Sequence, residues 1–141
     1  MRLFVDSWGW LTLADRLEKH HPTAARFYGA RAKAPGRIVT SDFVLDETFT
    51  RLFRRAPFDR AWGFVESLVD SIANGAIAVE RVTEQRFRKT LDLRRKFRDK
   101  PRISFTDLSS MVIMQELRIV DVLTADAHFR QVDLGFRVLP E

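Results

Sequence analysis

Short runs of consecutive apolar residues alternate along the chain with longer stretches in which apolar residues recur every three or four positions, the pattern of brief buried strands separated by helices. Leu3-Phe4-Val5 is the first such run and stops at Asp6, after which Ser7 can cap an apolar helix through Trp8, Trp10, Leu11 and Leu13. His20-His21-Pro22 breaks that helix, and a second is predicted over Thr23 to Lys33, closed by Pro35-Gly36. Ile38-Val39-Thr40 reads as the second strand. Ser41 or Asp42 then caps a helix whose Leu45, Thr48, Phe49, Leu52 and Phe53 form one stripe.

Pro57 opens a further helix with Trp62, Val65, Leu68, Val69 and Ile72 on one face, ending near Asn74-Gly75. Ile77-Ala78-Val79 is the third strand. A polar helix follows from Thr83, its thin stripe made of Phe87, Leu91 and the stem of Arg94, and Pro101 closes it. Ser104 to Leu117 is apolar nearly all round and predicts a helix in the middle of the structure. Val120 to Thr124 and Phe136 to Leu139 supply the fourth and fifth strands. Brief apolar strands separated by helices predict an α/β fold with a short-stranded, mostly parallel sheet covered by helices on both faces.

Length and composition narrow this picture. At 141 residues the chain fits one domain spanning 1–141, and twelve Phe with three Trp supply a core without crosslinks. The absence of cysteine excludes a disulfide scaffold, a thiolate metal site and a cysteine nucleophile. Asp6 follows only three apolar residues, so residues 1–6 do not read as a secretory signal, and no apolar run is long enough to suggest a membrane span. A cytoplasmic protein with no membrane partner is expected. The 24 Lys and Arg against 19 Asp and Glu give +5, yet residues 81–102 alone hold ten basic and three acidic residues, +7, leaving the remainder at −2. Charge clustered in this way favours a polyanion-binding face, although a solvated helix reads equally well.

Ligands of open parallel sheets bind outside the carboxyl ends of the strands, which directs attention to four acids: Asp6, Glu47, Asp107 and Asp126. Each has an ordinary alternative. Asp6 can cap a helix, Glu47 can pair with Arg51 four residues on, Asp107 fits the third position of a capping box opened by Ser104, and Asp126 can serve a turn. Brought into one crevice, however, four carboxylates repel unless a cation is present, and carboxylate ligands suit magnesium or manganese. Other chemistry lacks its residues: phosphate-cradling loop, dinucleotide fingerprint and serine elbow are all absent, and Asp6-Ser7-Trp8 lacks the second Asp of a phosphatase motif. His20, His21 and His128 show no metal-ligand spacing, with His128 reading first as a loop residue and second as a substrate contact, and Trp8 and Trp10 read as core.

Phe4-Val5-Asp6-Ser7, Ser41 with Glu47 six residues later, Asp107 opening a late helix, and Val122-Leu123-Thr124-Ala125-Asp126-Ala127-His128-Phe129 followed by Gly135-Phe136 together carry a resemblance. The chain resembles, over essentially its whole length, the PIN-domain ribonucleases and, among them, the VapC-type toxins of prokaryotic type II toxin–antitoxin systems. That resemblance implies a PIN-like three-layer α/β/α fold and an endoribonuclease that cleaves RNA by metal-activated water. It implies a cognate antitoxin that holds the enzyme inactive, and a homodimer. Carried over by position, Asp6, Glu47, Asp107 and Asp126 would be the catalytic acids at Mg2+ or Mn2+, with Asp6 and Asp107 holding the principal ion and Ser7 and Thr124 as supporting hydroxyls. Arg51, Arg54, Arg55, Arg94, Arg95, Lys96, Arg98 and Lys100 are candidates for the RNA backbone. A non-catalytic nucleic-acid-binding module of the same fold, or an RNA-processing nuclease without an antitoxin, are the alternatives. The chain departs from the family in its heavier basic run before Asp107 and in Ser109-Ser110-Met111, where an alanine-rich start is usual.

Overall fold

A computed structural model describes residues 1–140. Twelve elements follow one another: β1 (Leu3–Val5), α1 (Ser7–Ala14), α2 (His21–Arg31), β2 (Ile38–Ser41), α3 (Asp42–Arg55), α4 (Phe58–Ala73), β3 (Ile77–Glu80), α5 (Glu84–Lys96), α6 (Phe105–Leu117), β4 (Asp121–Leu123), α7 (His128–Gln131) and β5 (Arg137–Leu139). The strands form one sheet in the order β3-β2-β1-β4-β5, parallel at every pairing. Strand β1 is central, with Phe4 opposite Val39 on one side and Val122 on the other. From β1 the chain moves outward through β2 to β3, then crosses to β4 and β5 in the opposite direction. Right-handed crossovers put the helices of these two excursions on opposite faces, and they leave a crevice at the carboxyl end of β1, where the winding reverses.

The strands are nearly all apolar because both faces are covered: Leu3, Phe4, Val5, Ile38, Val39, Val122 and Leu123 are buried. Helix α6 lies deep in the molecule, with every residue from Asp107 to Met114 buried. Ser109 and Ser110 fit there because each hydroxyl donates to the carbonyl of Thr106, at 2.6 and 3.1 Å, so neither buries an unpaired polar atom. Trp10 is a core residue as expected, its indole N–H donating to Thr40 Oγ1 at 3.0 Å while that hydroxyl donates to the carbonyl of Val5 at 2.9 Å.

Several boundaries and faces differ from expectation. Asp6, not Ser7, is the N-cap of α1. Helix α2 begins at His21 because Pro22, lacking an N–H, suits the first turn, where no intrahelical donor is needed. On α4 the buried residues are Ala61, Val65 and Leu68, while Trp62 and Val69 of the expected stripe turn outward. On α5 the expected stripe also fails: Phe87 and Leu91 are exposed, and the helix packs through Thr90, half-buried Leu93 and Phe97 just past its end. A helix this charged gives too weak an apolar signal to orient; in the structure Arg86 pairs with Glu80 and Glu116, and Phe87 lies against Phe105 at the surface. No helix among the described residues is long and apolar enough to cross a membrane.

Candidate active site

Asp6 leaves β1 directly into α1. Its carboxylate accepts from the Gly9 N–H at 3.0 Å and from the Thr124 hydroxyl, so the expected capping bond is present on a buried side chain. Gly9 makes this turn possible. A Cβ there would lie 2.7 Å from Val5 Cγ1 and 2.8 Å from the Leu123 carbonyl oxygen, so only glycine lets α1 start this close to the strand ends. Across the crevice Glu47, on α3, accepts from Ser7 Oγ at 2.8 Å and pairs with Arg51 at 3.1 Å. The i,i+4 pair expected as surface decoration therefore sits at the mouth of the cleft. Asp107 occupies the first turn of α6, where Ser104 Oγ caps its N–H at 3.0 Å, and its side chain lines the same cleft.

Asp126 follows β4 in a tight turn: its N–H donates to Thr124 Oγ1 at 2.9 Å, and its carboxylate accepts from the His128 N–H at 2.9 Å. The cleft, about 370 Å³, is lined by these four acids together with Ser7, Trp8, Arg51, Arg102, Ser104, Ala125 and His128. Elements separated by up to 120 positions in sequence thus deliver four carboxylates and both expected hydroxyls, Ser7 and Thr124, to one place, with Thr124 fully buried.

Burial pushes the Asp6 carboxyl up to about 7, against the opposing pull of Thr124 and Gly9, with the charges of Asp126 and Glu47 adding to the rise. Burial likewise raises Asp107 to about 8, aided by a hydrogen bond and repulsion from Asp126 and by the charges of Asp6 and Glu47. Two acids are thus held against ionisation, and the nearby Arg51 is engaged with Glu47. The donor set of clustered, partly buried carboxylate oxygens fits a hard divalent cation, which would restore their ionised forms. Asp107, Asp126 and His128 each offer a ligand atom within 4.8 Å of the others.

His128, read from the sequence first as a loop residue and only second as a substrate contact, lines this cleft. It opens the four-residue helix α7, for which no periodic signal exists. Arg102 and Trp8 were missed as lining residues. Arg102 stands two positions before the cap of the Asp107 helix, a signal that could have found it, and Trp8 is only half-buried, unlike Trp10.

Of the basic candidates, Arg51 lines the cleft, Arg55 lines an adjoining cavity that shares Trp8 and Arg51 with it, and Arg54 is exposed at the end of α3. Arg95, Lys96 and Arg98 are exposed, while Lys100 pairs with Asp99 at 2.9 Å. Arg94 departs from the expectation. Its guanidinium donates to the carbonyls of Phe97, Lys100 and Ile103 at 2.6 to 2.7 Å, tying the loop after α5 together rather than facing a ligand. Arg94→Ala should therefore lower stability by about 2–3 kcal/mol, since three carbonyls lose a charged donor, and leave the salt dependence of RNA binding unchanged. A denaturant melt and a salt titration check both halves.

Comparison with known proteins agrees with this geometry. A 23S rRNA-specific endonuclease, VapC20 of Mycobacterium tuberculosis, is 27% identical over 127 residues, covering 90% of this chain and 91% of its own. The crystal structure of VapC20, described as a sarcin–ricin loop cleaving toxin, superposes with a TM-score of 0.79 over 96% of both chains. VapBC2 from Rickettsia felis, solved bound to a promoter DNA fragment, shares the fold with a TM-score of 0.74 at 13% identity, over 98% of this chain and 97% of its own. The PIN-domain family model matches residues 3–134, which include all four acids, and this chain belongs to that family.

Proposed function

We propose that the protein is a metal-dependent endoribonuclease that hydrolyses RNA phosphodiesters as the toxin of a toxin–antitoxin pair, acting in the cytoplasm. The observation that carries this reading is the convergence of Asp6, Glu47, Asp107 and Asp126 on one cleft at the carboxyl end of β1. Its whole-length similarity to a 23S rRNA endonuclease supports RNA as the substrate. When bound, Mg2+ or Mn2+ supplies Lewis acidity and lowers the pKa of a water at the scissile phosphate. Asp6 and Asp107 would hold the cation, with Asp126 and Glu47 completing the site directly or through water. Ser7 and Arg51 orient Glu47, and Thr124 orients Asp6 and the Asp126 turn. Arg102 and Arg51 on the lip meet the phosphates flanking the cut, with exposed Arg95 and Lys96 at the end of α5 and Arg98 just past it as further backbone contacts.

An antitoxin belongs to the same proposal, supported by the VapBC proteins among its structural neighbours. So does a homodimer: Phe58 and Trp62 stack at 5.9 Å on the exposed face of α4, beside Phe53, whereas Trp10 is committed to the core.

The test is cleavage of ribosomal RNA, including the sarcin–ricin loop, by protein purified free of its partner. Cleavage is expected with manganese or magnesium and abolished by EDTA. Full cleavage in EDTA would overturn the metal-dependent reading, and a folded protein that binds RNA but cuts none under any metal would favour the binding module.

A further inference from the structure

We infer that His128 is a nitrogen ligand of the cleft cation, biasing the site toward Mn2+ and Co2+ over Mg2+; this rests on the metal-site reading above. The argument is one of geometry. His128 Nδ1 lies 2.9 Å from Asp126 Oδ1 and 3.5 Å from Asp107 Oδ2. The nitrogen is buried, and among the described residues it makes no properly aligned hydrogen bond, although the nearest oxygen is at hydrogen-bonding distance. That oxygen already accepts from the His128 backbone N–H at 2.9 Å. The turn thus holds the imidazole nitrogen beside the carboxylate, with the nitrogen buried and without an aligned hydrogen-bond partner among the described residues.

Proximity of this kind is what neighbouring ligands of one ion show. With bonds of 2.0–2.1 Å, adjacent octahedral ligands stand about 3 Å apart, close to the 2.9 and 3.5 Å found. The three ligand atoms come from the start of α6, the turn after β4 and the first residue of α7, which touches both α6 and β5. Phe129, buried against Phe136, anchors that short helix and with it the ring of His128. An imidazole nitrogen also adds a ligand atom without adding a further carboxylate to a cleft already lined by four. Nitrogen donors favour later first-row ions, whereas magnesium prefers oxygen and water, so the ring sets ion preference.

The test needs no RNA. Mn2+ alone is added to the whole protein, and pulsed electron paramagnetic resonance reads coupling to nitrogen, with 15N-labelled histidine identifying its source. Coupling that changes with the label, and is lost in His128→Leu and His128→Gln, is the expected result. In both variants Mn2+ and Co2+ affinities should fall on the order of tenfold with Mg2+ affinity little changed. Should the variants fail to fold, the labelled wild-type spectrum decides alone. Bound Mn2+ without histidine coupling would overturn the inference and leave the carboxylate site standing. Failure of the wild-type protein to bind any of the three ions would instead sink the metal-site reading itself.

Discussion

Asp107→Asn should reduce RNA cleavage on the order of a thousandfold while raising the thermal midpoint of the metal-free protein. The loss of activity follows from removing an anionic donor at the centre of the cleft, between Asp6, Glu47 and Asp126. The gain in stability follows from the same burial. Asp107 is held near 8 in the folded chain and close to 3.8 when unfolded, so between those values the native state binds a proton that the unfolded state lacks. Stability from this group is complete below pH 4 and is lost as pH rises toward 8. The amide has no charge to lose, so the midpoint of Asp107→Asn should fall less steeply between pH 5 and 8 than that of the wild type. A divalent cation favours the ionised acid, and it should stabilise the wild type more at pH 8 than at pH 6 while leaving the variant nearly unmoved. Melts at three pH values, with and without manganese, read all of this. A variant that cleaves RNA at the wild-type rate would remove Asp107 from the active site.

Gly9→Ala should destabilise the protein by about 1–3 kcal/mol, the opposite of its effect in an ordinary helix, where alanine is favoured over glycine by about 1 kcal/mol. The added methyl group would meet Val5 Cγ1 at 2.7 Å and the Leu123 carbonyl oxygen at 2.8 Å, and neither can retreat, because one belongs to β1 and the other to the adjacent strand β4. Helix α1 must move off the sheet, and the Gly9 N–H moves with it, away from the Asp6 carboxylate it now caps at 3.0 Å. Cleavage per folded molecule should fall together with stability. A rise in the denaturation midpoint would show that α1 does not start against the strand ends as described.

How much of this was legible beforehand depended on the range over which the deciding interactions act. The five strands, the six longer helices and the parallel sheet followed from local apolar runs and caps, with boundaries displaced where Pro22 joined a helix, α1 stopped at Ala14 and α5 at Lys96, and Val120 stayed outside a strand, whereas the four-residue α7 had no local signal. The acids could be picked out because parallel topology makes residues after strands converge, and a family motif reinforced the choice. Rotation of the charged helix could not be read: Thr90 faces inward, Arg86 pairs with Glu80 and Glu116, and Phe87 and Leu91 lie largely exposed at the surface. Arg94 looked like a phosphate contact because a basic run reveals charge and not the carbonyls within reach. Asp121 drew no attention at all, yet it is fully buried, and Arg137 and Arg31 hold its carboxyl below the usual range.

The sequence by itself determined which segments become strands and helices, since that choice rests on periodicity, caps and turn residues a few positions apart. It also determined which residue types could do chemistry. Only the tertiary structure decided that Gly9 must be glycine, that Glu47 turns to Ser7 and Arg51 at the cleft, and that His128 joins Asp107 and Asp126. Those outcomes depend on contacts between residues distant in sequence, and a sub-ångström difference in how the helices seat on the sheet is enough to change them.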